Sequence, residues 1–215
     1  EVFIAGAFAA LMQHDYSKLD GPLGDIFIQS IRDRWSRELS DASVEEIAEY
    51  MTVYDTDQMV GVMNVIKGKM FERMVELHEN EDGDEWVAAL HDDESYPGSD
   101  VVFTNLETGE IVEVSLKAVD DPSIIETALR RYPDIPILTT SEMEGPFVDM
   151  DRISTTDISN DDLSANADKM FEELMTVTSA SAGEAETMLG VGAGTGAAGF
   201  IQLWPFVAAY SRGHI

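Results

Sequence analysis

Through the first quarter of the chain, apolar residues recur every three to four positions. Residues 2–12 are small and apolar, and residues 25–39 carry Ile26, Phe27, Ile31, Trp35 and Leu39 at helical spacing, with a break at Gly21-Pro22 between them. Ser43 followed by Glu46 is a capping-box signature for a helix to about residue 51. The pattern then predicts a long helix over 57–78 with Met59, Met63, Ile66, Met70, Met74 and Leu77 as its apolar stripe. Turn residues at 80–83 end it. Short runs at 86–90, 101–103, 111–119 and 137–140 read as strands separated by polar turns. Asp121-Pro122 supplies an N-cap and a first-turn proline for a helix through residue 132, with Ile124, Ile125, Ala128, Leu129 and Tyr132 facing inward. The order over 57–143 is α-β-β-β-α-β, so the expected fold class is α/β around a small mixed sheet.

Beyond Gly145-Pro146 a stretch rich in Asp, Ser and Thr runs to residue 162, and Leu163, Ala167, Met170, Phe171 and Leu174 then return to helical spacing. Residues 188–210 form 23 positions without a formal charge, including glycines 190, 192, 194, 196 and 199. That length suffices to cross a bilayer, while the alternating glycines weaken a helix. Membrane attachment through 188–210 is therefore one expectation, and a glycine-rich loop running into a buried segment is the other. Four regions follow: a helical part at 1–56, an α/β core at 57–145, an acidic linker and helix at 146–187, and the hydrophobic segment at 188–215.

Composition narrows the chemistry. The 215 residues contain 42 acidic and 13 basic side chains, for a formal charge of −29 and a pI near 4.1. Such a surface matches salt adaptation, as in halophilic or marine viral proteins, with mimicry of nucleic acid as the sharper alternative. Any contact with phosphate must be local. With no cysteine, disulfides, thiolate metal sites and cysteine nucleophiles are excluded. His14, His78, His91 and His214 form no HxxxH pair and receive no role. The chain begins on Glu1 with no basic stretch before its apolar residues, so no secretory signal is expected and the sequence reads as a fragment or processed product. A cytoplasmic or virion-associated setting is expected, and homo-oligomerisation is left open.

Three fragments occur in a suggestive order. Lys67-Gly68-Lys69-Met70-Phe71-Glu72-Arg73 places a GxxxE on the long helix; Gly98-Ser99-Asp100-Val101-Val102 places an acid at the mouth of the second strand; Glu113-Val114-Ser115-Leu116-Lys117-Ala118 forms the third strand. Together, and only over residues 57–143, they resemble the PD-(D/E)xK restriction-endonuclease-like superfamily, including its ExQxK and Holliday-junction-resolvase-like branches. The resemblance implies a Mg²⁺- or Mn²⁺-dependent nuclease acting on DNA. Asp100 and Glu72 would be its metal ligands, Lys117 the group assisting the attacking water, and Glu113 or Ser115 an auxiliary site residue.

Physical logic supports that assignment independently of the family. Phosphodiester cleavage calls for a hard divalent cation held by carboxylates, carbonyl oxygens and retained waters. Asp100 stands where a loop enters a strand, so its carboxylate can project past the sheet. Gly68, one turn before Glu72, is expected to let that helix face approach the sheet closely. Alternation puts Glu113, Ser115 and Lys117 on one face of their strand and Val112, Val114, Leu116 and Ala118 on the other. Ser115 departs from the family, which has Asp, Glu or Gln there. Glu113 lies about 13 Å along an extended strand from Lys117, too far to substitute without a bulge. The remaining ligand set is Asp100, Glu72, the Leu116 carbonyl and waters. Lys67, Lys69 and Arg73, with Arg130 and Arg131 on the next helix, would form a local positive rim for DNA, or else an ordinary solvated face. A catalytically degenerate module that binds or assembles is the alternative function.

Overall fold

Capping chemistry sets where the helices begin. The computed structural model describes residues 3–91, 96–147 and 150–164. Helix α1 (Phe3–Met12) is followed by a 3-10 turn at Tyr16–Leu19, then α2 (Pro22–Arg34), α3 (Ser36–Leu39), α4 (Val44–Met51) and α5 (Thr56–Glu81). Ser43 and Glu46 close both bonds of the expected capping box ahead of α4. Asp55 and Gln58 make the same reciprocal pair ahead of α5, which satisfies two of the N–H groups a helix start leaves open. The single helix expected over 25–39 is broken: Trp35 leaves helical backbone at φ −117°, ψ 49°, so α2 and α3 are separate. At Gly24 a β-carbon would fall 1.7 Å from the Leu19 carbonyl oxygen, so only glycine lets α2 lie against the turn before it.

The sheet follows in chain order: β1 (Trp86–Leu90), β2 (Val101–Asn105), β3 (Ile111–Lys117), helix α6 (Pro122–Arg131) and β4 (Ile137–Thr139). Helix α7 (Glu144–Phe147), β5 (Ile153–Thr155) and α8 (Asn160–Ser164) complete the described elements. The five strands lie in the order β1-β2-β3-β4-β5. β1, β2 and β3 are antiparallel neighbours, whereas β3–β4 and β4–β5 are parallel, with α6 supplying the crossover that a parallel β3–β4 pair requires. The protein is thus α/β with a mixed sheet, and the α-β-β-β-α-β order appears as α5-β1-β2-β3-α6-β4. The stretch after Gly145-Pro146, expected to be linker, instead adds β5 and α8 to this layer. Glu142 accepts hydrogen bonds from the Ser159 hydroxyl and from the backbone N–H groups of Asn160 and Asp161 at the start of α8. Burial alone would raise its carboxyl, but these bonds hold it down at about 2.

Two cores share α5. Met59, Val62, Met63, Ile66 and Met70 pack with the helical part. Phe71 and Val75 pack with Val101, Phe103, Val112 and Val114 of the sheet. The seam falls inside α5, between Met70 and Phe71, rather than at the 56/57 step suggested by the pattern. The predicted stripe holds as far as Met70 and then turns, because the partner changes from helices to strands: Leu77 is 40% exposed and Phe71 and Val75 are buried instead. On the opposite face of the sheet, Ile125 of α6 packs with Ile137, Met143, Phe147 and Ile153. Ile124, expected to face inward, is exposed.

The free edge of β1 is closed by side chains. The Asn80 amide donates to Ala88 O and accepts from Ala88 N, Glu76 accepts from Leu90 N, and Asp84 accepts from Trp86 N. Backbone groups that would invite another strand are thereby satisfied. Among the described residues no helix is long and apolar enough to cross a membrane. The helical pattern through Ala167–Leu174 and the segment 188–210 lie outside the described residues.

Candidate active site

Asp100 is placed by the turn before it. Gly98 has φ +87°, and a β-carbon there would sit 2.7 Å from the Tyr132 ring and 2.8 Å from Ile135 Cδ1, so a side chain fits neither the backbone nor the space. Ser99 is buried, with its hydroxyl directed to the Val101 and Val114 carbonyls. Asp100 N then donates to Val114 O at 2.9 Å. Extending the Val101–Val114 register by one residue sets Asp100 opposite Ser115, where directly opposed residues share a face.

The carboxylate is held on one oxygen. Asp100 Oδ2 accepts from Leu116 N at 2.7 Å, Lys117 Nζ at 2.8 Å and Ser115 Oγ at 3.0 Å. Oδ1 receives no hydrogen bond from a described residue. Lys117 Nζ also donates to Leu116 O at 2.9 Å. An ammonium thus sits between a carboxylate oxygen and a carbonyl oxygen, donor types that a hard cation prefers. The side chains of Lys117 and Asp100 are 28% and 30% exposed.

Glu72 reaches the same cleft from α5. Burial pushes its carboxyl up; Lys69, hydrogen-bonded at 2.9 Å, opposes this, Asp100 adds to it and Lys117 opposes it. Glu72 therefore lies within electrostatic reach of Asp100 and Lys117. The cleft, of about 250 Å³, is bounded by Asp33 of α2, by Lys69, Glu72 and Arg73 of α5, and by His91 and Asp100, which flank the ends of β1 and β2. Arg73 ties its walls together: Nε donates to Asp33 at 2.7 Å and Nη1 to Glu76 at 3.0 Å, and Glu76 also accepts from Leu90 N. Among the described residues, no three His, Cys, Asp or Glu side chains form a metal-holding group.

Several expectations change. Of the two auxiliary candidates, Ser115 joins the cluster by donating to Asp100 Oδ2, whereas Glu113 lies apart from it, accepting from the Tyr96 hydroxyl at 3.1 Å. Gly68 is not needed for a close approach, since a β-carbon there would meet nothing within 4 Å. The positive rim is not continuous. Lys69 and Arg73 line the cleft, each paired with acid. Lys67, two residues earlier and so about 200° round the helix, is half-buried; burial pushes its ammonium down against the pull of Asp120, Glu142 and Asp161. Arg130 turns back to Glu126 and Thr127, and Arg131 covers the Tyr132 ring; neither lines the cleft.

The reading from the sequence missed His91. It follows β1 directly, its N–H donates to Asp100 O at 3.3 Å, and its Nε2 lies 3.0 Å from Ser99 Oγ. No local signal marks it, because only strand pairing brings it beside Asp100. Asp33, in the helical part, was missed for the same reason. Comparison of the chain with protein-family models, curated proteins and solved structures finds no match.

Proposed function

We propose that the cleft belongs to a Mg²⁺-dependent nuclease that hydrolyses DNA phosphodiester bonds, built on a restriction-endonuclease-like core. One observation carries this reading: Asp100, the Leu116 carbonyl and the Lys117 ammonium cluster within hydrogen-bonding distance, beside a cleft that Glu72 also lines. The observed element order and mixed sheet support it. The donor set fits a hard cation: Asp100 Oδ1, the Leu116 carbonyl and Glu72 are all oxygen donors, and Mg²⁺ uses one or two carboxylates while keeping several waters. Bound there, the ion supplies Lewis-acid polarisation of a phosphate and acidification of a water.

The chain's own residues do the positioning. Leu116 N and Ser115 Oγ fix Asp100 Oδ2, which leaves Oδ1 as the ligand atom. Lys117 offers its remaining N–H to the attacking water or to a phosphate oxygen, offsetting charge that grows during the reaction. Full-length protein with Mg²⁺ or Mn²⁺ is expected to cut DNA, and Lys117→Ala and Asp100→Asn each to lower the rate by about 100-fold or more. Equal cleavage by wild type and Lys117→Ala removes the assignment.

A second reading, a module that binds without cutting, is favoured by Ser115: the residue that would complete the ligand set holds Asp100 instead. Calorimetry separates the two. Mn²⁺ binding abolished by Asp100→Ala supports the nuclease; no Mn²⁺ binding by wild type supports the inert module.

A further inference from the structure

Tyr96 is 42% exposed and belongs to none of the three apolar clusters of the described residues, yet its ring is fixed at both ends. One face stacks on the His91 imidazole, with centroids 3.9 Å apart and planes 18° from parallel. The hydroxyl donates to Glu113 Oε1. His91 is in turn held by Ser99 Oγ and by its backbone bond to Asp100, and it lines the cleft. An exposed aromatic ring with a locked plane, stacked on a residue that lines the cleft, has the form of a base-stacking platform. Stacking asks only for a flat apolar face, which every base can use.

Register sets the distance. Glu113 and Ser115 are alternate residues of β3, about 7 Å apart, and Ser115 Oγ lies 3.0 Å from Asp100 Oδ2. The Tyr96 anchor is therefore displaced along the strand from the carboxylate by about 7 Å, within reach of a nucleotide near the one at the carboxylate. Bases inside a duplex offer no free face, whereas those of a single strand do.

We propose that Tyr96, backed by His91, stacks an unpaired base of the substrate, and that the substrate is single-stranded DNA. This rests on the nuclease reading of the cleft and names its substrate class.

The test uses full-length protein in Ca²⁺ buffer, with a single-stranded oligonucleotide and a blunt duplex of the same sequence, each carrying 2-aminopurine. Tighter binding of the single strand is expected, with its fluorescence quenched on binding. Tyr96→Phe keeps the ring and is expected to stay within about 3-fold of wild type. Tyr96→Ala is expected to weaken single-strand binding roughly 5- to 150-fold, the range for losing one base–aromatic stack, and to leave duplex binding unchanged. If the single strand binds but Tyr96→Ala has no effect, weakens both forms alike, or leaves the quenching intact, the platform is overturned while the nuclease reading stands. Preference for the duplex overturns the platform in the same way. If wild type binds neither oligonucleotide, the nuclease reading falls and the platform with it.

Discussion

Up to Met70, α5 lies among helices; from Phe71 onward it lies on a sheet, and the two stretches are built from different chemistry. The helical side is apolar side chains meeting apolar side chains, with Trp35, Tyr50 and Tyr54 packed ring against ring at its margin. Ser30, a buried polar group there, is satisfied inside its own helix by Ile26 O. On the sheet side α5 also presents Glu76 and Asn80 to the backbone of β1. A helix satisfies its own peptide groups, whereas a sheet edge leaves a row unsatisfied. A helix lying along that edge therefore has to carry polar side chains as well as apolar ones. The cleft opens at the seam, where neither core covers the ends of the strands.

Two acids sharpen the contrast. Glu72 and Glu79 are seven residues apart on α5, two turns along nearly the same side. Burial raises both. At Glu72 the cations Lys69 and Lys117 oppose it. At Glu79, which is 2% exposed, Asp82 and Asp84 add to it, Oε1 has no hydrogen-bond partner among the described residues, and the carboxyl is pushed up to about 8. One buried acid stands in a site with compensating charge; the other is a cost to the fold.

The sheet side can be broken most directly at Phe71. Phe71→Ala is expected to cost about 3–5 kcal/mol in urea unfolding, as for other buried aromatics, while Leu77→Ala on the same helix stays within about 0.5 kcal/mol. Equal effects would misplace the seam.

Glu79 comes next. Because the native state holds a proton that the unfolded chain releases near pH 4.3, stability is greatest below that pH. It then falls by about 1.4 kcal/mol per pH unit as pH rises toward the folded value of about 8. Glu79→Gln is expected to flatten this slope and to stabilise by about 4–5 kcal/mol at pH 8, the amount the slope accumulates. A slope unchanged in the variant would assign the pH dependence to another group.

Asn80→Ala, which uncovers both backbone groups of Ala88, is expected to cost about 1–2 kcal/mol. It should also give association that grows with concentration, read by light scattering. The smallest effect belongs to Gly68→Ala. Open space around the missing β-carbon predicts a gain of about 0.5–1 kcal/mol from helix propensity; a loss would restore the close approach that the motif suggested.

Periodicity and caps in the sequence sufficed for the α-β-β-β-α-β order, for β1 at Trp86–Leu90 and for the capping box at Ser43. The motif order that resembles a nuclease family pointed to Asp100 and Lys117, which meet at 2.8 Å. These signals act within about a turn of helix or a few strand residues, so they survive without knowledge of the partner. β5 has three residues, too few for any period, and exists because β4 offers it a ladder. The break at Trp35 and the turn of the buried face after Met70 follow from what each helix packs against. His91 beside Asp100, Asp33 on Arg73 and Tyr96 on Glu113 are contacts between separate elements. Local sequence thus settled the α-β-β-β-α-β series and which acids and amines stand at its strand ends. Only the pairing of distant segments decided which of those charges face one cleft, because side-chain direction across a sheet depends on register, and register is a property of two strands together.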